Sequence, residues 1–194
     1  MTEDFISTKD KILLSAIDLL SDGGLSSLTT KNVARRVNID ESMLYKFYGD
    51  MNELIRDTCI AYFRFDEGLF KTALARSGTR LDRIRYFFEA YATYYDNYYA
   101  LSMVGLHFEE LLHNTETREC VTEGIYRRRE FLAGLFQEAI DTHEIRDILD
   151  GYQLADLSLG YFSRACLNRR IGMKNGSFKA EITKMEDALF HLIV

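Results

Sequence analysis

The sequence predicts an all-α protein, and three observations lead to this prediction. Proline is absent from all 194 residues, so no helix is interrupted by one. Apolar residues recur at helical spacing through most of the chain, whereas no segment shows the alternation of a half-buried strand. The pattern corresponds to about nine helices with no β-sheet between them.

The first helix is predicted to begin after Ser7, because Ser7 and Asp10 have the spacing of a capping box. It should end at Gly23 and Gly24, since glycine accepts the left-handed conformation that closes a helix. The apolar residues between these limits lie on one helical face: Leu13, Ala16, Ile17 and Leu20.

Two further short helices are predicted from their caps. Thr29 is the expected N-cap of the second helix, which should end at a left-handed Asn38. Asp40 is the expected N-cap of a third helix, with Ile39 and Leu44 as a hydrophobic staple around it. A carboxylate at that position caps free N–H groups and meets the positive end of the helix dipole.

A pair of helices of eight or nine residues joined by a tight turn is typical of a DNA-binding helix-turn-helix, although a plain helical hairpin has the same pattern. The exposed side chains of the third helix would then face DNA. Lys46 and Tyr45 suit phosphate or base acceptors, Ser42 can pair with several bases, and Met43 can contact a thymine methyl. Residues 1–56 contain seven Lys or Arg against nine Asp or Glu, so any affinity for DNA must come from one basic face.

The remaining three quarters of the chain reads as a helical bundle. Asp50 and Glu53 begin a long helix directed toward Gly78, and further helical patterns cover residues 79–99, 101–113, 115–142, 149–168 and 178–194. Residues 79–99 contain six of the twelve tyrosines. Such a stripe suits either an aromatic core or the wall of a small-molecule cavity, and the residues alone leave both alternatives open.

Some residues of the chain have part of a metal-binding or catalytic pattern. Glu110 and His113 have the spacing of a di-iron motif, but no second copy of this motif accompanies them. The three cysteines, Cys59, Cys120 and Cys166, lie far apart in sequence and are expected to be reduced thiols. The arginine run at residues 127–129 is most simply a solvated or interdomain face. With no nucleophile elbow or phosphate loop, we predict neither an enzyme nor a cofactor.

The tract from Lys9 to Leu54, KDKILLSAIDLLSDGGLSSLTTKNVARRVNIDESMLYKFYGDMNEL, resembles the N-terminal domain of the TetR family of bacterial transcriptional regulators. The landmarks in register are the Val33-Ala34 pair, the Leu44-Tyr45 pair and the aromatic Tyr48. The resemblance implies a DNA-binding domain at residues 1–50 and a ligand-binding and dimerisation domain at residues 51–194. It implies a homodimeric repressor that a small molecule releases from a double-stranded operator with an inverted repeat.

The resemblance also implies roles for particular residues. Thr30 and Lys31 would contact phosphate, Ser42, Met43 and Lys46 would face bases, and Tyr45 would pack against the sugar-phosphate chain. The last two helices would form the dimer seam. The expected cavity residues suit an aromatic compound or a lipophilic cation; they are Tyr91, Tyr95, Tyr98, Met103, His107 and Phe108.

The sequence also departs from the family pattern at three positions. Asn38 replaces the turn glycine, Glu41 replaces a proline or small residue, and Met51 replaces a lysine. Glu41 adds negative charge near the DNA and Met51 removes a phosphate contact. The alternative is therefore a small-molecule sensor or carrier of the same fold that has weakened or lost DNA binding. The first residues have no signal-peptide pattern, and no window is a membrane span, so we expect a cytoplasmic protein.

Overall fold

The computed structural model describes residues 6–173 and 176–194. Within these residues the chain forms ten α-helices and no β-strand. Helices α6 and α7 are joined by the 3₁₀ turn Gly105–His107 and form one broken helix, and the all-α prediction is confirmed. The helices are α1 (Thr8–Gly23), α2 (Thr30–Val37), α3 (Glu41–Leu44), α4 (Met51–Ala75), α5 (Arg80–Asn97), α6 (Tyr99–Val104), α7 (Phe108–His113), α8 (Arg118–Asp141), α9 (Gly151–Arg170) and α10 (Phe178–Ile193).

Helices α1 to α3 form the helix-turn-helix unit, and local caps set most of its limits. The Ser7 hydroxyl accepts from the Asp10 N–H at 3.1 Å, and the Thr29 hydroxyl accepts from the Asn32 N–H at 3.2 Å. Asn38 has φ 59° and ψ 51°, the left-handed conformation predicted for the turn. These caps confirm the predicted ends of α1 and α2.

Helix α3 is shorter than predicted. It covers only Glu41–Leu44, and Asp40 occupies the N-cap position without a hydrogen bond from its side chain. Beyond Leu44 the backbone tightens, because the Lys46 N–H donates to the Met43 carbonyl and the Phe47 N–H donates to the Leu44 carbonyl. These bonds span three residues, so the chain after α3 continues as turns rather than as a regular α-helix. We call residues 41–46, which would face DNA, the reading segment.

Helices α4 to α10 form the C-terminal bundle. The Asp50 carboxylate caps α4 by accepting from the Glu53 N–H at 2.8 Å, as predicted. Helix α8 packs along α9 and α5 packs along α10, while α1 packs against α4 and α6. A Cβ on Gly151 would lie 2.4 Å from the Ala133 carbonyl oxygen, so α8 and α9 approach closely only because residue 151 is glycine. Within the described residues, no helix is both long enough and apolar enough to cross a bilayer.

Candidate functional site

The six side chains predicted to contact DNA lie on the helix-turn-helix unit. Lys31 on α2 and the reading-segment residues Ser42, Met43, Tyr45 and Lys46 are exposed, and Thr30 is half-buried. The Thr30 and Tyr45 hydroxyls lie 3.2 Å apart and share a hydrogen bond, which joins α2 to the reading segment. Leu44 is buried beneath them and anchors α3. The surface therefore combines a hydrophobic base with exposed polar and basic groups.

An ion-pair cluster within the unit places one cation between two acids. Arg36 lies 3.3 Å from Asp18 and 3.2 Å from Asp22, so its charge compensates one of these two acids of α1. Glu41 remains exposed at the first position of α3. The acid that departs from the family pattern is therefore at the surface that would face DNA.

The C-terminal bundle contains a buried arginine from the run at residues 127–129, which was predicted to form a solvated or interdomain face. That prediction is wrong for Arg128, whose side chain is 11% exposed and pairs with Asp66, which is 3% exposed. The pairing is bidentate, with Nε 2.7 Å and Nη2 3.0 Å from the two carboxylate oxygens. The neighbouring Arg127 and Arg129 lie outside, where they pair with Glu67 and Asp156.

Aromatic rings enclose this guanidinium. Its carbon lies 4.9 Å from the Tyr62 ring centre, 4.8 Å from Phe63 and 5.0 Å from Tyr91. The Tyr91 hydroxyl donates to Asp66 at 2.5 Å. We call these five residues, Arg128, Asp66, Tyr62, Phe63 and Tyr91, the arginine box. The chain thus places its own cation at the ring of Tyr91, one of the residues expected to line the site for a cationic ligand.

Burial and charge set the protonation of the arginine box. Burial alone would lower the pKa of Arg128, but the phenols of Tyr62, Tyr91 and Tyr95 together with Asp66 raise it well above its ordinary value. Burial raises the pKa of Tyr91 and of Tyr95 well above that of a free phenol. At neutral pH the box therefore holds a charged guanidinium, and the neutral phenols of Tyr91 and Tyr95 can donate hydrogen bonds.

A small inner cavity of about 70 Å³ adjoins the arginine box. Of the predicted ligand residues, Tyr95 and Phe108 line this cavity, and Tyr91 lies beside it in the arginine box. Met103 is fully buried in the core. Such a volume holds a few water molecules, whereas ligand sites have about 300 to 1,000 Å³, so an effector requires the cavity to expand.

An outer groove of about 410 Å³ lies between α4 and α8. Phe63 lines this groove and Phe108 lines the inner cavity, and the two rings stack with centroids 5.9 Å apart. The stacked pair forms the wall between the two spaces. A Cβ on Gly124 would lie 2.4 Å from the Phe63 ring, so glycine at 124 lets this ring lie against α8.

The other predicted ligand residues point to α1 instead of the inner cavity. The Tyr98 hydroxyl donates to Asp18 at 2.9 Å, and His107 Nε2 lies 3.4 Å from the Ser21 carbonyl oxygen. Beside His107, the Glu110 carboxylate accepts from the Leu25 N–H at 2.9 Å. These residues join the C-terminal bundle to the end of α1 and the turn that follows it.

The Glu110 and His113 pattern does not assemble a metal site. Glu110 is engaged with Leu25, while His113 Nδ1 lies 3.0 Å from the Glu109 carbonyl oxygen. Among residues 6–173 and 176–194, no group of three or more His, Cys, Asp or Glu side chains could hold a metal ion.

Helices α9 and α10 present an exposed apolar face. Some apolar residues of these helices lie in the chain's own core, including Leu154 and Ile182. Others face outward, with Leu157 58% and Leu192 63% exposed. These two residues border a shallow groove of about 380 Å³ that Met185 and Leu189 also line.

Arg128 and Asp66, the ion pair of the arginine box, were not predicted from the sequence. Arg128 follows Val121 and Gly124 in the buried stripe of α8 and precedes Leu132, at helical spacing. Asp66 likewise lies in the buried stripe of α4. A charged residue at a core position of each of two helices was the available signal.

Comparison with known proteins supports the resemblance seen in the sequence. Residues 12–58 match the family described as "Bacterial regulatory proteins, tetR family". This segment contains α2, α3 and the beginning of α4. Residues 12–58 are therefore similar to the N-terminal domain of the TetR family. A comparison with curated proteins gives no match.

Solved structures of TetR-family regulators share the fold of the whole chain. The ketosteroid transcriptional regulator KstR2 of Mycobacterium tuberculosis aligns with a TM-score of 0.83 and 13% identity, over 97% of this chain and 95% of that chain. A TetR-family transcriptional regulator from Agrobacterium tumefaciens gives a TM-score of 0.82, 15% identity and coverage of 96% and 97%. The transcriptional regulator FadR from Bacillus subtilis in complex with stearoyl-CoA gives a TM-score of 0.75, 14% identity and coverage of 93% and 96%.

Proposed function

We propose that this protein is a TetR-family repressor that a small-molecule effector releases from its operator. The observation that carries the proposal is the reading surface. Ser42, Met43, Tyr45 and Lys46 are exposed beside one another while Leu44 holds their segment to the core. Lys31 and Thr30 extend this surface along α2, where they would contact phosphate. The proposed DNA-binding domain is residues 1–50, and residues 51–194 form the effector and dimerisation domain.

The proposed assembly is a homodimer through α9 and α10. Their exposed leucines, Leu157 and Leu192, lie at the shallow apolar groove, and a partner's copy of the same face would cover them. A stable interface needs at least about 1,200 Å² of total buried area. A two-fold dimer presents two equivalent reading surfaces, so the operator should be an inverted repeat.

The proposed effector site is the inner cavity with the arginine box. The Arg128 guanidinium already occupies the ring faces of the box, and this argues against the lipophilic cation considered from the sequence. An apolar or aromatic compound with a carboxylate, thioester or other acceptor group could instead accept a hydrogen bond from Arg128 or Tyr95. The FadR structure with stearoyl-CoA, a thioester with an apolar chain, supports this class of compound.

The proposed route from effector to DNA is through α7. Phe108 lines the inner cavity and lies two positions before Glu110, which bonds to the backbone between α1 and α2. Expanding the cavity would displace α7 and therefore the helix-turn-helix unit. The effector must bind the DNA-incompetent state more tightly, and a hundredfold preference corresponds to about 2.7 kcal/mol of coupling.

DNA binding is tested with the DNA flanking the protein's own gene. We expect sequence-specific affinity that increases as salt falls, and Lys46→Ala should weaken it and reduce the salt slope by about one. Lys71→Ala is the matched control, because Lys71 is an exposed lysine on α4 away from the reading surface. If no sequence-specific complex forms at low salt, the result supports the alternative, a sensor or carrier that has lost DNA binding. The exposed Glu41 would then be the physical reason.

The effector class is tested with a panel of acyl-CoA thioesters, aromatic acids and lipophilic cations, scored by thermal shift and then by release of DNA. Acceptor-bearing compounds should stabilise the protein more than cations of equal apolar area. Tyr95→Phe should weaken a hit, whereas Tyr94→Phe should leave it unchanged, because the half-buried Tyr94 does not line the cavity. A cation that binds best, or a hit indifferent to Tyr95→Phe, would reject this site.

A further inference from the structure

Two of the three cysteines, which lie far apart in the sequence, meet between α4 and α8. Helices α4 and α8 lie side by side in register: Arg56 is 3.5 Å from Glu116, and one turn beyond the cysteines Phe63 packs against Gly124, so Cys59 on α4 and Cys120 on α8 lie opposite each other. Cys59 is 2% exposed, whereas Cys120 is half-buried and lines the outer groove. Cys166 lies elsewhere, at the inner cavity. The fold therefore creates a dithiol with one sulfur accessible from the surface and one behind it.

The two sulfurs differ in acidity. The hydrogen bond from Cys59 lowers the pKa of Cys120, against the effects of burial and of Glu123. The same bond, together with burial, raises the pKa of Cys59. The thiolate therefore forms on Cys120, which faces the groove, while Cys59 keeps its proton and donates it.

We propose that Cys59 and Cys120 form a reversible thiol–disulfide site that reacts with hydroperoxides and cross-links α4 to α8. Cys120 is the nucleophile, because an oxidant can reach it through the outer groove. Cys59 is the resolving thiol, because it lies opposite Cys120 across the contact of α4 with α8. The site lies away from the reading surface, and it borders the arginine box at Phe63, which lines the same outer groove as Cys120.

The chemistry is balanced by one peroxide. The Cys120 thiolate attacks a peroxide oxygen, a sulfur–oxygen bond forms, the oxygen–oxygen bond breaks, and the leaving oxygen departs as hydroxide or alkoxide, which takes up a proton. Cys120 is thereby oxidised to a sulfenic acid and the peroxide is reduced. The Cys59 sulfur then attacks the sulfenic sulfur, the sulfur–oxygen bond breaks, and water leaves with the Cys59 proton. A dithiol reductant restores both thiols by exchange.

Cys166 provides an internal control. Burial raises its pKa to about 12. At pH 8 about one Cys166 thiol in ten thousand is then ionised, so this cysteine should be inert to dilute peroxide.

The test treats the purified full-length protein with hydrogen peroxide, alkylates the remaining thiols, and measures intact mass and peptides without reduction. We expect the loss of two hydrogen atoms, a peptide linking Cys59 to Cys120, alkylated Cys166, and full reversal by dithiothreitol. Cys166→Ser should form the same disulfide. Cys59→Ala should leave a sulfenic acid on Cys120 that dimedone traps, and Cys120→Ala should abolish the reaction.

Specific outcomes would overturn the proposal. A linked peptide that contains Cys166, a disulfide between two chains, or an unreacted Cys120 in the folded protein would each do so. Reaction of Cys59 in the Cys120→Ala variant at the wild-type rate would reject the assigned order of attack.

Discussion

Replacing Arg128 by methionine should strongly destabilise the protein. Methionine keeps an unbranched apolar stem of similar reach, so the substitution removes mainly the charged head and its hydrogen bonds. In the folded protein that head makes two hydrogen bonds to Asp66 and one to the Tyr62 hydroxyl at 3.2 Å. The Asp66 carboxylate would remain buried with the Tyr91 hydroxyl as a donor.

The expected magnitude follows from burial. Removing one partner of a buried ion pair costs about 3–5 kcal/mol, because the other charge stays desolvated. The next residue offers a matched control in the same helix. Arg129 also pairs bidentately, at 2.6 and 2.8 Å from Asp156, but these side chains are 33% and 54% exposed. Water solvates a lone Asp156 there, so Arg129→Met should cost far less than Arg128→Met.

The assay is urea unfolding followed by circular dichroism at one fixed protein concentration, since the stability of a dimer depends on concentration. Asp66→Leu alone should cost about as much as Arg128→Met, and the two together should recover most of the loss, because an apolar pair replaces the ion pair. Equal stability of the Arg128→Met and Arg129→Met variants would refute the reasoning. So would a double variant less stable than both single variants.

Two further predictions concern other carboxylates. Glu110→Ala removes the acceptor of the Leu25 N–H, so hydrogen exchange at that amide should become about tenfold faster, whereas Glu109→Ala on the same helix should leave it unchanged. An equal effect of both variants would show that the Glu110 contact is not held in solution. Burial raises the pKa of Glu186 from 4.5 to about 7 despite its pairing with Arg85, so the folded state binds the extra proton between these pH values. The free energy of unfolding should therefore fall as pH rises through that window, at no more than about 1.4 kcal/mol per pH unit. Urea unfolding at a series of pH values should show this decline in the wild type and not in Glu186→Gln. A wild-type slope in the variant would contradict the assignment.

The parts of the fold that the sequence predicted depend on neighbours three or four residues away. The caps at Ser7, Thr29 and Asp50 are such features, and each is formed as predicted. The length of α3 was not predictable from caps alone. It depends on the tight turns after Leu44 and on burying Tyr48, which are tertiary effects.

The interior of the C-terminal bundle was predicted only in outline. The tyrosine-rich helix α5 does face inward at Tyr91 and Tyr95, and Tyr95 lines the inner cavity. The arginine box could not be predicted in this way. It forms only when α4 and α8 pack together, because Asp66 and Arg128 are 62 residues apart in the sequence. The placement of Cys59 opposite Cys120 depends on the same pairing of helices. Periodicity identifies which residues face inward but not which residues meet there.

The contacts at the end of α1 have a consequence for the exchange of DNA-binding specificity. Several of them address the main chain: Glu110 accepts from the Leu25 N–H, and Arg170 donates to the Asp22 carbonyl. Gly24 has φ 69°, and a Cβ there would also crowd the Glu110 carboxylate, so this contact with the turn after α1 favours glycine at 24. A chimera that carries a different reading segment could therefore keep the same mechanical connection, provided that it retains this backbone turn and its glycine. Under the proposed function, operator choice and the connection to the bundle would therefore be set by different residues.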